Sequence, residues 1–422
     1  MRTRTVWIYW LLSALYKSSI SFCFGYYVIF LHAHGLTPAQ IMLPNIAYWA
    51  IKCFSDVPTG IMADLFGRKL SFIVACVLMA GGTALYSQVS TLGLFILAES
   101  LIAVGSTCES GAFEAWFNAR YERELATDRE SYSQALNQIY NQREMISNGF
   151  SMVASVVGAY SSVWGLGIPF ALCSMLYLTT ALCAWVLMED TKSSAQPAPN
   201  RKLKAGSRDV FLQALRSCKH ERILSCSLFG VILAIAMQPA NMYWALVLSS
   251  SGVATKWFGM AWVLIIIACT FGMWIAKRTS GSVAPNRWFM ATGSITLVAL
   301  IGAGIARHFS VIVFCFLLHE LGRGLFGVSR RSHLGCIAQR EQDDVQATIL
   351  SIDSTAQSIA AVAGLTFGAL IVGTVGPLGT WICTSAICLV ALVLWFWCFG
   401  RPERSLPVAT EIISVEPIVE VA

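Results

Sequence analysis

The sequence predicts an all-α integral membrane protein with twelve transmembrane helices in two six-helix pseudo-repeats and both termini cytoplasmic. Three observations carry this. First, 56% of the 422 residues are hydrophobic and only 12% charged, whereas a soluble chain carries about 25% charged residues. Second, twelve apolar stretches approach the length of about 20 residues that crosses hydrocarbon, where every backbone polar group must be satisfied within its own helix. Third, Lys and Arg gather in alternate gaps between these stretches.

The stretches lie at 6–31, 38–63, 70–88, 92–117, 141–162, 167–188, 223–249, 257–276, 288–306, 309–331, 347–373 and 378–399. The first follows Arg2 and Arg4 but is too long for a cleavable signal, lacks a small-x-small site and contains Lys17, so it is expected to stay as a helix. Thr37-Pro38 opens the second, and the third follows Gly67-Arg68-Lys69. The next three alternate between a basic gap holding Arg120, Arg123 and Arg129 and gaps at 89–91 and 163–166 that hold no charge. A long basic connection runs from Lys192 to Arg222, and six further stretches follow it. Their basic gaps hold Lys277, Arg278, Arg287, Arg330, Arg331 and Arg340; the opposite gaps hold only Lys256 and Arg307. The positive-inside rule therefore places the basic gaps and both termini in the cytoplasm. The net charge of +6 reflects this topology and gives no ground for nucleic-acid binding.

The organisation that follows is a bundle over 1–189, a basic central loop over 190–222, a second bundle over 223–400 and a flexible cytoplasmic tail over 401–422. Around Asp209 to His220 the loop can form an amphipathic helix on anionic lipid or serve as a tether. A six-plus-six layout is the signature of a transporter holding its substrate near the midplane between two halves. The 14 cysteines are scattered without a C-x-x-C pair, which suits apolar packing better than metal or disulfide roles. No H-E-x-x-H, G-x-S-x-G or P-loop pattern is present and the loops are short, so neither an enzyme nor a receptor with a soluble domain is expected, and no cofactor or metal. The expected partners are the lipid bilayer, a small-molecule substrate and protons, with the chain working as a monomer.

The charged stretch Asp56-Val57-Pro58-Thr59-Gly60-Ile61-Met62-Ala63-Asp64-Leu65-Phe66-Gly67-Arg68-Lys69 runs from the end of the second span to the start of the third. Gly60 and Asp64, and again Asp64 and Arg68, stand four apart, which on a helix puts them on one face. Gly60 allows close helix contact, and Gly67 allows the turn between antiparallel spans. Such a cluster can latch the cytoplasmic helix ends in one conformation and release them in another.

Residues 60–69 resemble the G-x-L-A-D-R-x-G-R-K signature of the major facilitator superfamily, with Met62 and Leu65 as departures. Gly35 to Ile41, Asp56 to Gly60, Ser110 to Trp116 and Gln346 to Ser351 are similar to segments of a prokaryotic drug- and metabolite-exporter branch. The resemblance implies a gating motif of Gly60, Asp64, Gly67, Arg68 and Lys69, with Glu114, Arg143 and Asp353 as gating partners. The helix-5 Gly-Pro of drug antiporters and the helix-4 arginine of many proton-coupled members are absent. The resemblance also implies that the first, fourth, seventh and tenth spans line a central cavity.

Ionisable residues inside spans are costly and so become functional candidates. Lys17, Glu99, Glu109, Glu320 and Arg323 fall on the four cavity spans, and the seventh adds Gln238, Asn241, Tyr243 and Trp244. Glu99 lies about 12 Å and Glu320 about 16 Å below the outer ends of their helices at the helical rise. Either can exchange a proton as the cavity alternates, unless Lys17 or Arg323 faces it and makes a static ion pair. Lys52 and Asp56, four apart, suit a local structural pair. The function expected is secondary active transport in a bacterial inner membrane: proton-coupled efflux of a small amphipathic or drug-like molecule. The alternatives are proton symport importing a nutrient or metal chelate, or export of an endogenous metabolite such as a siderophore.

Overall fold

The computed structural model describes residues 3–124, 129–189, 220–341 and 343–400, and among them every regular element is helical. The first half contains α1 (Arg4–Phe24), α2 (Tyr27–Ala33), α3 (Pro38–Phe66), α4 (Arg68–Gln88), α5 (Leu92–Glu124), α6 (Arg129–Ser161) and α7 (Ile168–Leu187). The second contains α8 (Glu221–Ser250), α9 (Phe258–Thr279), α10 (Pro285–Ile305), α11 (Phe309–Glu341) and α12 (Asp343–Phe399). The expected central loop, apart from its last three residues, and the expected tail lie outside the described residues.

Each expected apolar stretch falls on a helix, and the differences have local causes. The first stretch is split at Gly25 into α1 and α2, while the last two form the arms of α12, which breaks at Gly376 (φ 70°) beside Pro377. Nine helical segments among the described residues are apolar and long enough to cross a membrane. The helices α3 and α6 are not among them, because α3 carries Lys52, Asp56 and Asp64 and α6 opens on a polar run. Beyond the apolar stretches, α5 continues to Glu124, α11 to Glu341, and α6 begins at Arg129. Hydropathy stops at the hydrocarbon boundary, but helical hydrogen bonding continues through residues such as Glu, Arg and Gln that favour helix.

The start of α3 shows how sequence fixes an element. Thr37 accepts a hydrogen bond from the Gln40 amide (3.3 Å), and the Gln40 side chain accepts one from the Thr37 amide (2.9 Å). This capping box satisfies two otherwise orphaned donors, and Pro38 occupies the first helical turn, where its missing N–H costs nothing. The other end of α3 stops at Gly67, whose φ of 95° only glycine adopts without strain, and α4 starts at once with Arg68.

Across the two halves, α3 packs on α12 and α6 packs on α9. Lipid supplies no hydrophobic force between helices, so close backbone approach has to hold them together. It occurs where side chains are missing. A β-carbon on Gly25 would sit 2.9 Å from the Phe258 carbonyl oxygen, and one on Gly259 would sit 2.7 Å from the Val156 α-carbon and against the Ser155 carbonyl. At Gly368 of α12 the neighbours are side chains instead: a β-carbon would sit 3.1 Å from the Pro239 ring of α8 and 3.4 Å from the Met42 methyl of α3.

The apolar cores are distributed unevenly along the bundle. At the end opposite the basic gaps, here the outer end, one core joins both halves, with Tyr26, Phe30, Met42 and Tyr86 meeting Tyr243, Trp244, Phe258, Leu365 and Trp381. At the basic end each half has its own core. One is built on Tyr9, Phe72, Phe113 and Trp116, the other on Phe229, Phe289, Phe326 and Trp395.

Candidate functional site

Glu99 lies on α5 under the outer core and is buried. Its Oε1 accepts a hydrogen bond from the Tyr86 hydroxyl (3.1 Å), and the Tyr27 hydroxyl stands 3.3 Å from that of Tyr86. Tyr86 stacks on Phe95 and Phe170, so aromatic rings roof the carboxylate. Among the described residues no Lys or Arg stands within ion-pair distance of Glu99. The lysine expected as a possible partner, Lys17, points elsewhere.

Lys17 Nζ lies 2.7 Å from Glu144 Oε2. Glu144 Oε1 is in turn 3.4 Å from Arg143 Nη2, and Arg143 Nη1 is 2.7 Å from Glu114 Oε1 and donates to the Tyr9 hydroxyl. These residues form a continuous chain of alternating charge across α1, α6 and α5. Lys17 and Glu144 are 41% and 51% exposed, so this chain borders open space between the cores of the basic end. Glu109, partly buried on α5, lies within the electrostatic reach of Arg143, Glu114 and Lys52.

In the second half, Glu320 is buried and paired with Arg323 one turn on (2.6 Å), while the Arg323 guanidinium also reaches Asn241 Oδ1 of α8 at 3.4 Å. The two carboxylates singled out by depth thus part company: Glu320 faces a guanidinium and Glu99 faces hydroxyls. His319 is fully buried beside Glu320, its Nε2 3.9 Å from Glu320 Oε1 and its Nδ1 3.4 Å from the Thr296 carbonyl. Gln238 and Asn241 are partly buried on α8. Tyr243 and Trp244, expected on the cavity wall, instead belong to the outer core. Tyr243 donates to the Pro38 carbonyl (3.1 Å), and Trp244 stacks near Trp262. Pro239 sits in α8 about three turns inside its outer end, and Asn241 faces Arg323.

The gating stretch also departs from its expected spacing. Asp64 lies in the last turn of α3 and Arg68 starts α4, so the positive φ of Gly67 removes the shared helix face expected for them. The Asp64 side chain lies outside the described residues. Arg68 Nη1 donates to the Ala115 carbonyl of α5 (2.6 Å) instead of reaching Glu114, which is held by Arg143. Lys69 lies over the Trp185 ring at 5.5 Å. A β-carbon on Gly60 would meet nothing within 4 Å, so no close helix contact is made there.

Asp353 is gripped by both guanidinium nitrogens of Arg330, with distances of 3.0 and 3.1 Å, and both side chains are about nine-tenths buried. The arrangement mirrors Glu114 and Arg143 with the signs exchanged between corresponding helices of the two halves. Sequence reasoning missed Glu144, Arg330, Tyr86 and Tyr27. Glu144 and Arg330 stand at membrane boundaries where charge is ordinary, and tyrosine has no depth rule that marks it as a ligand.

Comparison with known proteins agrees with this architecture. Residues 9–332 match the model of the Major Facilitator Superfamily. The chain is 22% identical over 263 residues to the MFS-type transporter YxaM of Bacillus subtilis (strain 168), covering 61% of this chain and 62% of that one. It is 21% identical over 189 residues to the MFS-type transporter MJ1560 of Methanocaldococcus jannaschii, covering 44% and 46%. The matches thus span less than two thirds of either relative. Among solved structures it is similar to the nucleoside transporter NupG, with a TM-score of 0.72 and 13% identity over 95% of this chain and all of that one. An auto-inhibited peptide transporter of the POT family gives 0.70 and 12% over 96% and 98%.

Proposed function

Because the chain belongs to the major facilitator superfamily, we propose that it is a proton-coupled secondary transporter, pictured here closed at its outer end, with Glu99 as the proton carrier. The observation that carries the reading is the contrast between the two buried carboxylates. An ionised carboxylate enclosed among neutral groups is costly in a low-dielectric interior. Glu99 is enclosed in that way by Tyr86 and Tyr27, whereas Glu320 has Arg323. Opening the outer end would part the core that roofs Glu99 and admit water to it, giving the proton a route on one side of the cycle. The two separate cores of the basic end support a cavity that opens there.

The charge chain of Lys17, Glu144 and Arg143, with Arg323 and Asn241 opposite, suits a small cargo carrying polar or charged groups. The aromatic roof suits an apolar part, so an amphipathic molecule fits, and efflux in exchange for protons is the leading direction. The charged lining also favours a second reading, symport of a polar nutrient; the structural neighbours named for nucleosides and peptides lend it support. The test begins with a growth screen of a strain lacking the gene against a broad compound panel. Compounds that discriminate are then added to energised inverted vesicles. Efflux by exchange requires a partial collapse of the proton gradient that depends on the protein. Absence of any proton movement with a transported compound overturns the coupling.

A further inference from the structure

Two features of the outer face meet at one place. An apolar crevice of about 290 Å³ opens between α8, α9, α11 and α12, walled by Trp244, Ile265, Ile312, Phe316, Leu317 and Trp381. Trp257 and Phe309 stand on its rim and are exposed. The second feature is charge. The gaps at the outer end contain no Asp or Glu and only one Lys and one Arg, Lys256 and Arg307. Lys256 adjoins the rim residue Trp257, with its ammonium 5.8 Å from the ring centre, and Arg307 lies two residues before the rim residue Phe309. Both cations are exposed, and neither has a carboxylate within ion-pair distance among the described residues.

A void of this size beside hydrocarbon leaves its walls without dispersion partners, and lipid chains are the material at hand to fill it. A chain alone gains little, because the walls are no more apolar than the bilayer. Selectivity must come from the headgroup, and two unpaired cations at the interface attract an anionic phosphate. We propose that the crevice is a binding site for an anionic phospholipid of the outer leaflet, with an acyl chain against Trp381 and Phe316 and the phosphate between Lys256 and Arg307. Trp244, Phe316 and Trp381 also belong to the core that closes the outer end, so a bound lipid braces that closed conformation.

The test uses the purified full-length protein in detergent, titrated with phosphatidylglycerol or phosphatidylcholine of identical chains and followed by native mass spectrometry. Phosphatidylglycerol should bind more tightly, and the double variant Lys256→Gln, Arg307→Gln should bring it to the level of phosphatidylcholine, a loss of roughly 25-fold. Ala261→Trp, which fills the crevice, should weaken both lipids, and glycerophosphoglycerol without chains should not compete. Equal binding of the two lipids in the unaltered protein overturns the proposal, as does a preference that survives the double variant. Full competition by the free headgroup overturns the acyl part, and a second copy of the chain covering the crevice, seen as a lipid-free dimer, overturns it entirely.

Discussion

Gly259→Ala should tilt the protein toward an outward-open conformation. The added methyl would come 2.7 Å from the Val156 α-carbon and closer still to the Ser155 carbonyl, and both are backbone atoms that cannot rotate away. Carbon atoms rest about 3.5 to 4.0 Å apart, so α9 and α6 must separate by roughly 1 Å, enough to forfeit a quarter to a half of the contact energy at that spot. Overpacking of this kind costs about 1 to 3 kcal/mol. Where the cost falls only on the outer-closed state, the equilibrium shifts by roughly 5- to 150-fold. Cys23 is buried in the outer core and reports the change. In a variant retaining only this cysteine, a membrane-impermeant maleimide applied from outside should label Gly259→Ala much faster than its parent. Gly149→Ala, on α6 where a β-carbon meets nothing within 4 Å, should label like the parent. Equal labelling of all three would refute the reasoning that backbone contact between α6 and α9 holds the outer end shut.

Three further outcomes follow. Removing either partner of the buried Arg330 and Asp353 pair should destabilise the protein by about 3 to 5 kcal/mol, since it strands a desolvated charge, and removing both should cost much less than the sum; unfolding in mixed micelles measures the cycle, and simple additivity would deny the pairing. Lys17→Met should leave the unfolding midpoint nearly unchanged, because an ion pair this exposed contributes about 0 to 1 kcal/mol, yet transport should fall sharply; normal transport would remove Lys17 from the cavity. Gly67→Ala forces a side chain into a conformation (φ 95°, ψ 147°) that is essentially glycine's alone, at a cost of about 1 to 3 kcal/mol. It should slow the exchange between conformations more than it lowers expression, as judged by turnover per folded molecule; unchanged turnover would separate the α3–α4 turn from gating.

The bundle was legible in the sequence because hydropathy and the Lys and Arg bias both report on the bilayer, a solvent that acts on every residue alike. Helix ends were less legible: α5, α6 and α11 run past the apolar stretches because Arg, Glu and Gln sustain helix in water as well as leucine does in lipid. Pairings were the least legible. Depth alone singled out Glu99 and Glu320, but which cation faced which carboxylate depends on helix rotation, and that is set by contacts such as those of Gly25 and Gly259 that no periodicity encodes. The reading of Asp64 and Arg68 as one helical face failed for a reason present in the text, since Gly67 between them could end the helix as readily as continue the spacing. Tyr86 and Tyr27 escaped notice because a hydroxyl becomes a ligand only when folding brings a carboxylate to it.

The central claim, that Glu99 carries the coupled proton, separates two activities of one protein. Exchange of labelled for unlabelled cargo across a reconstituted vesicle needs the conformational cycle alone, whereas gradient-driven accumulation also needs a proton to be taken up and released. Glu99→Gln, which keeps the hydrogen bond to Tyr86 available and cannot ionise, should preserve exchange and abolish accumulation. Accumulation at the parent's rate in Glu99→Gln, with unchanged pH dependence, would contradict the assignment.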